Sequence, residues 1–462
     1  MGVGLNPSKG FLIKVKMLRD AWTLAIETIS WIELKRSGER LALNMAAKQL
    51  KIKDRKAIGL AHRLVSETLR KKNYIDFLLN SALAPRSLDD FKLGQRAFLR
   101  LYVYETKMTH GNPVKAAWIA SIGRSILGWR ELIDVEEVLG EILSLNPDSE
   151  LKGLDEMEKV GLLTYHPYWF VTYCFRLLGR KEALLSLEKD IEIPTTYVRL
   201  NTLKAPGETL LKKLEDEKIV LEKVQQLKHT YRLAQSRKPL LRTKSFRQGL
   251  FYIQDKASCL AAEISAPKKG TTVLDLCAAP GAKTTYLAQL MENNGEIVSV
   301  DYSKRRIEVW KRETEHMGVK IASSILADTR KPLPLNRLAD LVVLDPPCTS
   351  TGTFGKTPET KWRLTKRSIL GMAKIQGEMI DNCAEYTKEE GFLVYSTCSI
   401  SVEENEMVIE RFLKLHPEFK LVDTIPKIGL PGLRGLTKCQ RLYPHIHDCN
   451  GFFIAKLMKE KA

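Results

Sequence analysis

The chain has 462 residues, and 73 Lys and Arg stand against 55 Asp and Glu, a formal net charge of +18. Its 44% apolar content excludes a wholly disordered chain. No uninterrupted apolar run approaches the roughly 18 residues of a membrane span, and the FLIKVKML segment, broken by Lys14 and Lys16, is too short for a secretory signal.

In chain order, residues 1–148 read as an all-helical bundle. Behind Asp54, a candidate N-cap, apolar residues fall at Ala57, Ile58, Ala61, Leu64, Val65 and Leu69, the i, i+3, i+4 rhythm of one buried helix face. Similar stretches cover Tyr74–Leu83, Phe91–Met108 and Val114–Leu127, broken by Ala84-Pro85, His110-Gly-Asn-Pro113 and Asn146-Pro147-Asp148. The first 72 residues carry a net +10. Residues 149–257 read as a linker and small α+β module. Helical patterns (Trp169–Leu178, Lys181–Lys189, Glu208–Glu217) alternate there with strand-like runs beginning at Thr196 and Gly249. Within this module, residues 223–247 hold a net +8 and no acid, and the remainder of the chain is neutral. A basic face on a neutral body is the electrostatic footprint of polyanion binding. The plain alternative is a solvated surface.

From residue 258 to 462, short apolar runs recur between helix-length stretches: Thr272–Leu276, Ile297–Val300, Ile321–Leu326, Leu341–Leu344, Phe392–Tyr395 and Phe452–Leu457. This alternation predicts a doubly wound, mostly parallel sheet, with ligands at the carboxyl ends of its strands. The first run enters Asp275-Leu-Cys277-Ala-Ala-Pro-Gly281-Ala-Lys283-Thr284. Small residues and a glycine before a helix start suit close approach to an anionic or polar ligand. The loop matches neither GxGxxG nor GxxxxGK[ST]. The second, third and fourth runs lead to Asp301, Asp328 and Asp345, which could equally be caps or turn residues. An acid ending the second strand can accept both hydroxyls of a ribose.

The eight cysteines include no CxxC and fit a reducing compartment better than a disulfide scaffold. The spacing of Cys439, His445, His447 and Cys449 fits no common zinc pattern, so no metal is expected. Two cysteines stand out. Cys348 follows Asp345-Pro-Pro beyond the fourth strand, and Cys398 follows Tyr395-Ser-Thr beyond the fifth. A lone cysteine is usually a small buried hydrophobe, whereas two at matching strand ends beside a carboxylate point to chemistry.

DLCAAPGAKT, DPPCTSTG and YSTCS, in this order and spacing, resemble the RsmB/Fmu and NOL1/NOP2/Sun family of RNA (cytosine-5) methyltransferases. The likeness extends to YVRLNTLK (197–204), FYIQDKAS (251–258), Glu403-Glu-Asn-Glu406, Arg441-Leu-Tyr-Pro444 and Gly451-Phe-Phe-Ile-Ala455, and residues 1–145 resemble a NusB-like domain. The resemblance implies a Rossmann-like class I methyltransferase domain that binds S-adenosyl-L-methionine. In that likeness the loop Cys277, Ala278, Ala279, Pro280, Gly281, Ala282 and Lys283 wraps the methionine part of the cofactor. Asp301 holds the ribose hydroxyls with Arg306 nearby, Asp328 meets the adenine, and Asp345 lies between cofactor and base. It also implies that Cys398 is the nucleophile and that Cys348 assists product release.

Two departures from the family pattern bear on this expectation. The usual GGK reads Gly281-Ala282-Lys283 here, and alanine at positive φ costs roughly 1–2 kcal/mol. The stretch Thr349-Ser350-Thr351-Gly352 replaces a Ser-Gly-x-Gly pattern, a change expected to touch loop flexibility rather than the chemical groups.

The expected partner is RNA, most simply small-subunit ribosomal RNA, with tRNA as the alternative. No membrane and no obligate protein partner are expected, and the chain is read as a cytoplasmic monomer. Two rival readings are a non-catalytic RNA-binding ribosome-assembly factor, which would bind no S-adenosylmethionine, and a DNA cytosine methyltransferase, which would place the nucleophile at Cys348.

Overall fold

A computed structural model describes residues 9–461, with side chains from Lys14 onward. The first eight residues of the basic 1–72 stretch lie outside the described residues, and the FLIKVKML segment falls in a helix that is described from Lys9. The chain forms two compact units. One runs to Ile191 and includes Thr357–Arg363; the other comprises Glu192–Lys356 and the chain from Leu364. No helix among the described residues is long and apolar enough to cross a membrane.

The first unit is helical. Asp54 caps the helix Arg55–Arg70 by accepting from the Lys56 N–H at 2.8 Å, and Ala57, Ala61, Leu64, Val65 and Leu69 form its buried face. The predicted Tyr74–Leu83 and Val114–Leu127 stretches lie in helices Lys72–Leu83 and Pro113–Leu127. The stretch Phe91–Met108 is a helix over Leu93–Val103 that widens into a π turn at Tyr104–Met108. At the bundle centre, the buried Arg100 donates to Asp76 at 2.6 Å and to Glu33 at 2.8 Å. Helices Glu156–Leu163, Tyr168–Leu178 and Arg180–Lys189 also belong to this unit. So does the short turn at 357–363, where Lys361 donates to the Tyr165 carbonyl at 2.7 Å and Trp362 to the Leu69 carbonyl at 2.6 Å.

The second unit contains two sheets. Strands β1 (Tyr197–Leu200), β2 (Ile219–Lys223), β3 (Thr230–Ser236) and β4 (Phe251–Ile253) form a small antiparallel sheet ordered β2-β3-β1-β4. β2 ends where the acid-free basic segment starts and β3 lies within that segment; neither was expected as strand. Lys228, Arg232, Arg237, Lys238, Arg242, Lys244 and Arg247 are exposed along that segment. Side-chain amides tie this sheet to the larger one's helices: Asn201 donates to the Met317 carbonyl and Gln289 to the Leu200 carbonyl, both at 2.9 Å.

The larger sheet is built from β5 (Thr272–Leu276), β6 (Glu296–Asp301), β7 (Ala322–Leu326), β8 (Ala339–Leu344), β9 (Thr387–Thr397), β10 (Phe419–Val422), β11 (Leu430–Pro431), β12 (Gln440–Leu442) and β13 (Phe452–Lys459). Its order is β11-β12-β13-β9-β8-β5-β6-β7, with β10 beside β13. Strands β5 to β9 run parallel, and β13 closes antiparallel on β9. Five of the six apolar runs lie within these strands, and the Ile321–Leu326 run enters β7 at Ala322. Buried on both faces, such strands read as continuous apolar segments. The strand order reverses between β5 and β8, which places a ligand cleft at their carboxyl ends.

A buried ion pair braces the turn that follows β9. Arg441 and Glu406, essentially unexposed, meet in a two-point contact of 2.6 and 2.7 Å, and the guanidinium also donates to the Ile400 carbonyl at 2.9 Å. Removing one partner of a buried pair strands the other charge. Arg441→Leu is expected to lower stability by about 3–5 kcal/mol, read as a shift of the urea midpoint, and adding Glu406→Leu is expected to recover much of the loss.

Candidate active site

The β5 end and the following helix Ala282–Leu290 make the first wall of the cleft. Asp275 is buried near the end of β5 and accepts from the Thr284 hydroxyl at 2.5 Å; Trp310 Nε1 donates to the same hydroxyl at 2.9 Å. Burial pushes the Asp275 carboxyl up to about 7. Cys277 has φ 65° and Gly281 φ 110°, the second a conformation that glycine adopts without a Cβ penalty. Ala282 is the first helical residue, where alanine is favoured. The Gly-Ala-Lys departure therefore imposes no positive φ on an alanine. The buried Arg199 of β1 anchors this helix start, donating to the Ala282 carbonyl at 3.2 Å and the Thr285 hydroxyl at 2.9 Å, with its guanidinium 4.5 Å from the Tyr286 ring centre.

Asp301, at the end of β6, is buried. It accepts from the Ala279 N–H at 3.2 Å and the Ser303 N–H at 3.1 Å, and it pairs with Arg306 at 3.3 Å. Arg306 also donates to the Ala279 carbonyl. The β6 end and the Cys277–Gly281 loop are thus one hydrogen-bonded body. Asp328 lies beyond β7, where a side-chain bond from Arg330 at 2.6 Å holds its carboxyl below the usual carboxylate range. No contact joins Asp328 to the other predicted residues among the described ones.

The second cluster stands beyond β8 and β9. Lys283 Nζ is 2.5 Å from Asp345 Oδ2, and Ser396 Oγ is 3.4 Å from Asp345 Oδ1. Burial disfavours the Lys283 ammonium, but Asp345 more than offsets this and holds its pKa above the ordinary lysine value. Cys348 Sγ and Cys398 Sγ are 3.1 Å apart, and Ser350 Oγ is 3.4 Å from Cys398 Sγ. The Cys348 hydrogen bond lowers the Cys398 pKa, helped by Ser350 and the Lys283 charge and opposed by burial. The same bond, with burial, raises Cys348 well above an ordinary thiol. The two shifts run in opposite directions, Cys398 toward the thiolate form and Cys348 toward the thiol. Cys277 also sits at a strand end, but burial pushes it up to about 12 and leaves it an unreactive thiol.

One expectation needs correction. Ser350 lies 3.4 Å from Cys398 Sγ, so the Thr349–Gly352 departure bears on the predicted chemical groups and not on loop flexibility alone. Sequence reasoning also missed Glu404, which accepts from residues beside both cysteines. Its place in the Glu403–Glu406 run was visible, but not its contacts.

A doubly wound sheet with a loop-and-acid wall and a paired-cysteine wall defines a class I methyltransferase of the two-cysteine type. The family model described as 16S rRNA methyltransferase RsmB/F matches residues 262–458, and the NusB family model matches residues 19–121. The probable ribosomal RNA small subunit methyltransferase B of Bacillus subtilis is 28% identical over 95% of this chain and 98% of its own. The tRNA (cytosine(72)-C(5))-methyltransferase of Pyrococcus horikoshii is 40% identical over 47% of this chain and 54% of its own. Among solved structures, PH0851 is 30% identical, with a TM-score of 0.81, over 96% of this chain and 99% of its own. NSun6 from Pyrococcus horikoshii, solved with SFG, is 27% identical with a TM-score of 0.59, over 64% of this chain and 99% of its own. The chain belongs to the RsmB/F methyltransferase family and carries that family's N-terminal NusB-like domain.

The thiolate assignment predicts reactivity without reference to substrate. Alkylation of Cys398 by iodoacetamide requires the thiolate, so its rate rises as pH passes the lowered Cys398 pKa. Ser350→Ala removes a stabilising contact and is expected to move that midpoint to higher pH, followed by peptide mass spectrometry.

Proposed function

We propose that this protein transfers a methyl group from S-adenosyl-L-methionine to carbon 5 of a cytosine in RNA, most simply in small-subunit ribosomal RNA, through a covalent Cys398–cytosine adduct. The observation that carries the reading is the pair of cysteine sulfurs 3.1 Å apart next to the Lys283–Asp345 pair at adjacent strand ends. The full-length likeness to a small-subunit ribosomal RNA methyltransferase supports the target class.

The residues present fit the cofactor. A sulfonium nucleoside asks for a compact loop, acids for the ribose hydroxyls and a cation-tolerant wall. The Cys277–Lys283 loop, Asp301 with Arg306, Asp328 and Asp345 are the groups that would hold it, and a relative was solved with SFG, an S-adenosylmethionine analogue. When bound, S-adenosylmethionine supplies an electrophilic methyl group.

The chain's own residues do the rest. The Cys398 thiolate adds to carbon 6 of cytosine, which makes carbon 5 enamine-like and nucleophilic. Asp345, oriented by Lys283, faces the base's polar edge and stabilises the adduct. Once Cys398 sulfur is bonded to carbon, it no longer accepts the Cys348 hydrogen bond as an anion. The main influence that holds the Cys348 proton is then gone. Cys348 can release that proton to solvent and take the one on carbon 5, and the returning electrons expel Cys398.

Cys398→Ala is expected to abolish methyl transfer, and Cys348→Ala to accumulate a protein–RNA adduct visible as a denaturation-resistant band. Full activity of Cys398→Ala would overturn the mechanism, and transfer that depends on Cys348 as nucleophile would point to the DNA-type arrangement. Bisulfite sequencing of total RNA from cells lacking the gene tests the substrate: loss of one ribosomal cytosine signal is expected. The 40% identity to a tRNA enzyme favours the second reading, in which a tRNA signal disappears instead.

RNA binding is assigned to the two basic segments. Lys51, Lys53, Arg55 and Lys56 are exposed in the first unit. Reversing their charge is expected to weaken RNA binding and flatten its salt dependence, because each lost phosphate contact removes counterion release.

A further inference from the structure

Glu404 is buried to 0% exposure in the second unit, and no lysine, arginine or histidine pairs with it among the described residues. Its neighbour Glu406 takes Arg441 instead. An unpaired buried carboxylate is costly, and this one is held by five donors. Oε1 accepts from the Thr349 N–H at 2.8 Å and Gln376 Nε2 at 3.0 Å. Oε2 accepts from the hydroxyls of Thr349 at 2.5 Å, Ser399 at 2.6 Å and Ser401 at 2.8 Å.

The donors are placed unevenly. Thr349 directly follows Cys348, and Ser399 directly follows Cys398. Gln376 also donates to the Pro347 carbonyl at 2.9 Å, so Cys348 is gripped from both sides. Thr351 and Ser399 add a hydroxyl contact of 2.9 Å between the same two loops. One carboxylate thus crosslinks the ends of β8 and β9 immediately beside both sulfurs.

We infer that Glu404 is a positioning residue that holds Cys348 and Cys398 within hydrogen-bond reach of each other. The inference rests on the proposed two-cysteine mechanism for its catalytic meaning, but not for its effect on the thiols. A carboxylate accepts at both oxygens, whereas a glutamine amide offers one accepting oxygen and two donors. Glu404→Gln therefore turns one arm of the crosslink from attraction to conflict, at nearly unchanged volume.

The test measures two quantities in the full chain. In Glu404→Gln, the pH midpoint of Cys398 alkylation is expected to rise, and kcat for RNA methylation to fall by about tenfold to a hundredfold, the scale of a small misplacement, with KM for RNA little changed. Glu404 acts partly through the Cys348 hydrogen bond, so the midpoint shift is expected to shrink when the same change is made in Cys348→Ala. A purely structural loss would shift both backgrounds alike. Thr349→Val, which removes one arm only, is expected to give a smaller shift in the same direction, and it serves if Glu404→Gln fails to fold. Wild-type alkylation and kcat in a folded Glu404→Gln protein, or an unshifted Thr349→Val where Glu404→Gln does not fold, would overturn the inference. A midpoint shift in a protein whose wild type methylates no RNA would instead retain the positioning role and overturn the proposed function.

Discussion

The active site depends on the parallel pairing of β8 with β9. Leu344 lies opposite Tyr395 in that register, and each chain then leaves the sheet and reaches its cysteine within a few residues. A slip of one residue would reverse every side chain's face and separate the sulfurs. The loops beyond the strands keep the register's result. The Gly352 N–H donates to the Cys398 carbonyl at 3.0 Å and the Gly451 N–H to the Gly352 carbonyl at 2.7 Å. A Cβ at Gly352 would lie 2.1 Å from the Gly451 carbonyl oxygen, so glycine is needed there for close backbone approach.

Around that pairing the electrostatics divide the labour between two thiols of the same residue type. Both are half-buried in one small space, and burial raises the pKa of each. What separates them is the bond between the two sulfurs, which raises Cys348 and lowers Cys398, with Ser350 and the Lys283 charge also lowering Cys398. Lys283 serves both walls of the cleft at once, since it belongs to the helix behind the cofactor-type loop yet its ammonium meets Asp345. Glu404 and the Arg441–Glu406 pair lie behind this surface, one bracing the two cysteine segments and the other bracing the turn at Ile400 that follows them.

Much of this architecture was legible in the sequence. Buried parallel strands show as short apolar runs, and the residues that end them, Asp275, Asp301 and Asp345, were read in their right places. Asp54 announced its helix because an N-cap is a local device. The β2–β3 hairpin was missed because its basic, polar pattern hides the alternation. The strands β10 to β12 are only two to four residues long and exist by pairing with a neighbour. Residues 357–363 gave no signal that they would cluster with the N-terminal helices, since such a contact links positions nearly 300 residues apart.

The amino-acid order alone determined which chemical groups the protein carries and that they fall at successive strand ends, because strand propensity and motif spacing are local properties of the chain. Tertiary structure decided how the two cysteine pKa values are driven apart, that Ala282 falls at a helix start, and that Ser350 and Glu404 stand beside the sulfur pair. Those outcomes turn on distances of about 3 Å between segments some fifty residues apart, and a hydrogen bond between strand-end loops is set by sheet register and packing rather than by any local pattern.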